Sequence, residues 1–307
     1  MKGRIVIGSR KSKLALLQTQ EVVDALVKAY PRLSFEVVKI KTEGDRDRKT
    51  SLRILGGRGV FVKELEEALL RRDIDIAVHS LKDMPTDMPD GLRIAAVTKR
   101  LDPRDVLVSN GGASLSSLAP GSRIGTGSQR RSVQLLSRRR DVAVVDMRGN
   151  IDTRLRKCAS GEVDGIVMAA AALKRMNIED RIAEYFSADI FVPAAGQGAL
   201  GIEIRAEDSA VEEIVASLDH EASRREVAAE RAFLRALGGG CREPIAALGV
   251  VKGASLHIRG MVANSSTGEV LYADVEGQAS QSERLGVELA NRMMEMGAGK
   301  LIGRCAQ

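Results

Sequence analysis

The sequence predicts an α/β protein: two similar α/β halves around a ligand cleft, followed by a small α+β domain. Three observations predict it. Short β-branched runs alternate with stretches of helical apolar spacing over the first two-thirds of the chain. A unit of strand, small-residue turn and helix start occurs twice, and the pattern changes to consecutive strands after Leu218. The expected domains are residues 1–98 with 198–217, residues 99–197, and residues 218–307.

Taken in order, Arg4–Ile7 reads as the first strand and Lys13–Lys28 as a helix, on the spacing of Ala15, Val22, Val23 and Leu26. Between them, Gly8-Ser9-Arg10-Lys11-Ser12 gathers free backbone N–H groups and the positive end of a helix dipole. That makes an anion site, which Arg10 and Ser12 would complete. Capping of the helix by Ser12 accounts for the same serine without a ligand. Ser34–Lys41 is the next strand. Residues 42–58 are charged and glycine-containing with no periodicity, and read as a flap. A helix follows from Val60 to Arg71, with Phe61 either in the core or stacking on a ligand beside the flap.

Ile74–Val78 suits a strand buried on both faces, and Pro85 stops regular structure soon after. Ligands of open α/β sheets bind beyond the carboxyl ends of the strands, so His79, Ser80, Lys82 and Asp83 stand where chemistry is usually done. A solvated turn with a surface Lys-Asp pair is the plainer account.

The second half repeats the first: Arg123-Ile124-Gly125-Thr126-Gly127-Ser128-Gln129-Arg130-Arg131 matches Ile7–Ser12, and Val163–Met168 echoes Ile74–Val78. Thr98–Asp105, with Pro103, reads as the hinge between halves and Val192–Gly198 as the return crossing. More cations follow the strand Val142–Asp146: Arg148-Gly149-Asn150, then Arg154 one turn into the next helix, where a solvated face would explain Arg154 and Arg156 equally. Beyond Leu218, Ser223-Arg224-Arg225-Glu226 matches a capping box for a helix running to about Leu237, where three glycines end it. Strands Ile245–Val251, Ser255–Val262 and Val270–Glu276 and a helix Ser282–Met296 complete the third domain.

Composition narrows the function. The N-terminus has no apolar h-region and no stretch approaches the ~20 apolar residues of a membrane span, so a cytoplasmic location without a membrane partner is expected. Net charge is +6, and arginine supplies 33 of the 47 basic residues. Its planar fork matches carboxylate and phosphate geometry, which points to an anionic partner; genome composition or growth temperature is the other source of such a bias. With 3% aromatic residues, no Trp and no nucleic-acid-binding signature, a small polyanionic substrate fits better than nucleic acid. Cys158, Cys241 and Cys305 lack any C-x-x-C and the three histidines lack ligand spacing, so neither a disulfide framework nor a metal is expected. Cys241 differs from the other two, because Gly238-Gly239-Gly240 and Pro244 set it on a tight loop where a thiol could serve as a covalent attachment point.

The ordered motifs Ser9-Arg10-x-Ser12-x-Leu14-Ala15, Thr42-x-Gly44-Asp45, Gly57-x-Gly59-x-Phe61-x-Lys63-Glu64, His79-Ser80-Leu81-Lys82-Asp83-x-Pro85, Gly125-Thr126-x-Ser128-x-Arg130-Arg131, Arg148-Gly149-Asn150, Pro193-x-x-Gly196-Gln197-Gly198 and Gly239-Gly240-Cys241-x-x-Pro244-Ile245 cover nearly the whole chain. Together they resemble the porphobilinogen deaminase (hydroxymethylbilane synthase) family. Two departures stand out: Gly127 where a serine is usual, and the charged pair Arg242-Glu243 after the cysteine.

The resemblance implies two periplasmic-binding-protein-like α/β domains flanking a cleft, plus a small domain whose cysteine, here Cys241, carries a dipyrromethane cofactor through a thioether. It implies a transferase that adds four porphobilinogens to that primer with loss of ammonia, then releases the linear tetrapyrrole by hydrolysis. Asp83 would be catalytic, steadying the cationic pyrrole left by ammonia loss. Lys82, Asp83, Thr126, Ser128, Arg130, Arg131, Arg148 and Gly149 would hold the cofactor, and Arg10, Ser12, Phe61, Arg148, Arg154, Arg175 and Gln197 the substrate, whose acetate and propionate arms demand fixed cations. A monomer is expected. The rival is a two-domain solute-binding protein without catalysis, which would normally be exported and has no need of a glycine-flanked cysteine on a third domain.

Overall fold

The computed structural model describes residues 3–42, 62–238 and 243–303. The chain forms two compact units, Met1–Leu101 with Gly198–Arg224, and Asp102–Gln197 with Arg225–Gln307. Strands β1 (Arg4–Arg10), β2 (Ser34–Ile40), β3 (Ile76–Ser80) and β4 (Leu92–Val97) come first. Then come β5 (Asp105–Ser109), β6 (Arg123–Gly125), β7 (Ala143–Val145), β8 (Gly165–Ala169) and β9 (Glu184–Tyr185) in the second unit, and the chain returns to the first as β10 (Leu200–Arg205). The helices are α1 (Lys13–Ala29), α2 (Lys63–Leu70), α3 (Gln129–Leu136), α4 (Ile151–Ala159), α5 (Ala170–Arg175), α6 (Ser209–Val215), α7 (Glu221–Ala236), α8 (Ser282–Glu295) and α9 (Ala298–Leu301). Among the described residues, no helix is long and apolar enough to cross a membrane.

The two five-stranded sheets share one plan. The first runs β2-β1-β3-β10-β4 and the second β7-β6-β8-β5-β9. In each, three strands are parallel and the fourth is antiparallel to both its neighbours. The antiparallel strand is a crossing strand in both cases: β5 follows the first passage between units and β10 follows the second.

Alternation within β3 shows why it reads as a continuous apolar run. Ile76 and Val78 join Ile5, Ile7, Val22, Leu26 and Ile202 on one face of the sheet, while Ala77 joins Leu65, Leu69 and Leu92 under α2 on the other. The second sheet is covered likewise, by Cys158 of α4 and Leu173 of α5 on one face and by Leu135 of α3 and Phe191 on the other.

The second unit also holds the antiparallel sheet β11 (Ile245–Lys252), β12 (Ser255–Ala263) and β13 (Val270–Gln278). Phe233 of α7 and Leu289 and Met293 of α8 pack on one face with Ile258, and Ala246, Leu248, Met261 and Ala263 on the other face meet Val133 of α3 and Val192.

Two local expectations are corrected. The capping box at Ser223 does not start α7, which begins at Glu221. His220 Nδ1 accepts the N–H of Ser223 (3.2 Å) and so does the capping, while Ser223 Oγ accepts from Arg100 N and Glu226 accepts from Val251 N. The helix expected from Val60 begins at Lys63. Val60, Phe61, residues 43–58 of the expected flap, and Cys241 lie outside the described residues.

Candidate active site

The first unit places a small hollow at the carboxyl ends of β1 and β3. Arg10 ends β1, and Ser12 caps α1, its Oγ accepting from Ala15 N at 3.3 Å. β3 ends at Ser80 and runs into a single 3-10 turn, Leu81–Asp83, because the chain bends toward Pro85. Arg10, Ser12, Gln18, His79, Ser80 and Asp83 line the hollow, and Gln18 Nε2 donates to Ser80 Oγ at 2.8 Å, tying α1 to the end of β3. Asp83 and Lys82 are half-buried. A carboxylate, a guanidinium and a helix N-terminus therefore share one small space.

His79 extends this site inward. Its Nε2 lies 2.8 Å from Glu203 Oε2, with the two side chains 2% and 0% exposed. Glu203 was not anticipated from sequence. The signal was an acid inside the apolar run Leu200–Arg205, where only a buried partner makes a carboxylate tolerable.

In the second unit, β6 ends at Gly125 and Ser128 caps α3, accepting from Arg131 N; Thr126 Oγ1 accepts the N–H of Ser128 at 3.2 Å. Arg130 and Arg131, two and three residues past the cap, do not point into an empty space. Arg130 Nη1 bonds Asp105 Oδ2 (2.6 Å) and Val192 O (2.8 Å), and Arg131 bonds Asp105 Oδ1 through Nη2 (2.6 Å) and Nε (3.1 Å). Gln197 Nε2 donates to the same Oδ1 (2.9 Å) and to Pro103 O (2.7 Å). Asp105 is fully buried at the start of β5. Burial alone would push its carboxyl up, but the charges of Arg130 and Arg131 more than offset this and hold it well below the usual carboxylate range. Sequence reading took Asp105 for the end of a hinge and missed it as the group that orients three expected site residues.

Arg148 and Arg154 are arranged differently. Arg148 follows β7 and is half-buried, and its Nη1 is buried without a hydrogen-bond partner among the described residues. Gly149 sits at φ +115, and a Cβ there would lie 2.9 Å from Thr153 Cγ2, so the turn requires glycine. Asn150 caps α4, accepting from Thr153 N (2.9 Å). One turn on, Arg154 Nε donates to Gly149 O at 2.9 Å. Burial and the nearby charge of Arg131, with Arg148 adding and Asp146 opposing, push Arg154 down to about 10. Arg175 lies in the last turn of α5, half-buried.

Arg154, whose proton is disfavoured by the charges of Arg131 and Arg148, and Arg148, with a buried N–H unpaired among the described residues, form a cluster short of negative charge. With a carboxylate-bearing hollow on the other α/β unit, the class defined is an α/β enzyme for substrates rich in carboxylates.

Comparison with known proteins takes this further. Residues 5–213 match the family model described as porphobilinogen deaminase, dipyromethane cofactor binding domain, and residues 224–295 match the porphobilinogen deaminase C-terminal domain. The porphobilinogen deaminase of Carboxydothermus hydrogenoformans is 44% identical over 302 residues, covering 98% of this chain and 97% of its own. That of Pelotomaculum thermopropionicum is 46% identical over 307 residues, 100% and 98% of the two chains. That of Syntrophus aciditrophicus is 46% identical over 296 residues, 96% of each. The chain belongs to the porphobilinogen deaminase family.

Proposed function

We propose that the chain divides its family's reaction between two kinds of site: Asp83 in the first unit stabilises positive charge, and the arginines of the second hold carboxylate arms. As a porphobilinogen deaminase it is a transferase that joins four porphobilinogens head to tail on a dipyrromethane primer and hydrolyses off the linear tetrapyrrole. The observation that carries the division is the buried, unpartnered Nη1 of Arg148 within a cationic trio. It is the opposite of what a site needs that already satisfies itself, and the cofactor's acid arms are suitable acceptors.

When bound, dipyrromethane supplies the nucleophilic ring carbon on which growth starts. Arg148 and Arg154 would grip its carboxylates directly, with Thr126 and Ser128 adding neutral donors. Arg130, Arg131 and Gln197 are held by Asp105, so their remaining N–H groups and fixed charge contribute. At each addition the C–N bond of porphobilinogen's protonated aminomethyl group breaks and nitrogen leaves with the electron pair as ammonia; the ring carbon that later takes its place sheds its hydrogen as a proton. Positive charge then spreads to the pyrrole nitrogen. A carboxylate beside that N–H steadies it, which no cation could do; Asp83 is the acid of the hollow, with Arg10 and Ser12 beside it for the substrate's arms and Lys82 next in sequence. Phe61 and Arg175 complete the proposed substrate contacts.

The same reading attaches the cofactor to Cys241 on a third domain, residues 218–307, supported by the separate apolar core around Phe233 and Leu289, beside domains 1–98 with 198–217 and 99–197. It places the enzyme in the cytoplasm as a monomer acting without nucleic acid or membrane. Intact-protein mass tests it: the purified protein should carry a dipyrrole adduct that gives a colour with Ehrlich's reagent, and Cys241→Ser should carry none. An unmodified, fully active protein would end this reading.

A further inference from the structure

Among the arginines of the second unit stands a glutamine that the proposed chemistry does not use. Gln134 lies on α3 four residues past Arg130, so the two share a helix face. It is fully buried, and both ends of its amide are bonded. Oε1 accepts the N–H of Val192 at 2.7 Å, while Nε2 donates to Val192 O (3.0 Å) and to Arg130 O (3.2 Å). The side chain pairs with the main chain of Val192 as a neighbouring strand would. That pairing also fixes the sense of the amide, because a turned amide would set oxygen against oxygen and N–H against N–H.

Val192 joins three parts of the unit. Its carbonyl accepts from Arg130 Nη1 as well (2.8 Å), and the same Nη1 donates to Asp105 Oδ2 (2.6 Å). Its side chain, also fully buried, sits in the apolar seam between Val133 of α3 and Ala246, Met261 and Ala263 of the antiparallel sheet. The first strand of that sheet, β11, begins at Ile245, soon after Cys241. Without the Gln134 amide, the Val192 N–H would be buried and unpaired, and its carbonyl would be held by Arg130 alone. The arginine would then have to hold the crossing instead of being aimed by it.

Resting on the reading of Arg130 and Cys241 given above, we propose that Gln134 is a positioning residue for the cofactor. By fixing the main chain of Val192 it keeps one acceptor set for Arg130 Nη1, so that Nε and Nη2 are presented to an acid arm in a single orientation. Through the Val192 side chain it also keeps that arginine in register with the sheet that follows the attachment cysteine. Gln134 itself touches neither cofactor nor substrate.

The test uses holoenzymes, with intact mass giving the fraction of each that carries the dipyrrole adduct. Gln134→Met keeps the volume and removes the amide. Per loaded enzyme its kcat should fall about tenfold, the scale of a misplaced contact, while KM for porphobilinogen stays within about twofold because Arg10 and Ser12 are untouched. Gln134→Asn, one methylene too short to span both groups of Val192, keeps a polar group in place should Gln134→Met not fold, and should show the same split. Arg130→Lys, which keeps the charge and loses the fork, closes a double-mutant cycle read on kcat and on the loaded fraction. If Gln134 acts through the arginine, adding its substitution to Arg130→Lys should cost little more. A Gln134 that serves only packing would lower the melting temperature and leave kcat and loading at wild-type values. That result, or effects that multiply in full across the cycle, would overturn the proposal. The reading beneath it fails differently: Arg130→Lys with wild-type loading and turnover would show that no oriented fork is needed there, removing the cofactor role of Arg130 and this proposal together. An impaired Arg130→Lys beside unchanged Gln134 variants would overturn this proposal alone.

Discussion

The two α/β units repeat one scaffold and use it differently. β1 leads through a small-residue turn into α1 capped by Ser12, as β6 leads into α3 capped by Ser128. The divergence lies just past the third strand of each sheet. β3 closes on His79 and Ser80 and is followed by the acid Asp83; after β8 come Ala170 and Ala171, opening α5. The first unit therefore places a negative charge beside its anion cradle, while the second clusters cations there, with the Asp105 carboxylate buried beneath Arg130 and Arg131 and Asp146 opposing the charge at Arg154. A repeated fold supplies positions for charge, and a few residues at strand ends decide its sign.

The largest expected effect tests the hidden carboxylate. Asp105→Asn leaves two buried guanidinium groups facing a neutral side chain and should cost about 3–5 kcal/mol in denaturant unfolding. The pH dependence has a definite sign. The Asp105 carboxyl titrates lower folded than unfolded, so its contribution is complete at neutral pH and is lost as pH falls below the usual carboxylate range, where the unfolded chain binds the extra proton. Wild type should thus lose stability on acidification more steeply than Asp105→Asn, and parallel curves would mean that the buried triad is energetically inert.

Asp83→Asn should do the reverse, keeping wild-type unfolding while turnover falls at least ~10²-fold, about 2.7 kcal/mol of transition-state stabilisation. A stability loss resembling that of Asp105→Asn would erase the contrast between the two acids. Next comes Arg148→Ala. Because its Nη1 has no internal partner, stability should barely change, whereas loading of cofactor-free protein should weaken by about 1.5–3 kcal/mol, the worth of one charged hydrogen bond. Unchanged loading would show the guanidinium to be incidental.

The smallest effects compare the two caps. Ser12→Ala and Ser128→Ala should each cost ~1 kcal/mol of stability. A rise in KM for porphobilinogen with Ser12→Ala, absent a matching rise for a surface cap such as Asn150→Ala, would separate ligand contact from capping. Equal KM values for the two would reduce Ser12 to its structural role.

Much of this molecule is local and therefore legible in its amino acids. The alternation of β-branched runs and helical spacing, the glycine and serine turns, and the polar residues closing Ile74–Val78 are nearest-neighbour properties, which is why Asp83 and Arg10 could be set at strand ends from the sequence alone. The sequence leaves β4 and β10 unassigned, and of β5 it places only Asp105, as the end of a hinge; each of these short apolar runs carries a charge. Which charges stay available was undecidable from sequence, because pairing is non-local: Arg130 meets an aspartate 25 positions away and His79 a glutamate 124 positions away. Only the packed tertiary structure, by removing water from those groups, determines that Asp105 claims Arg130 and Arg131 while Arg148 is left with an unmet hydrogen bond.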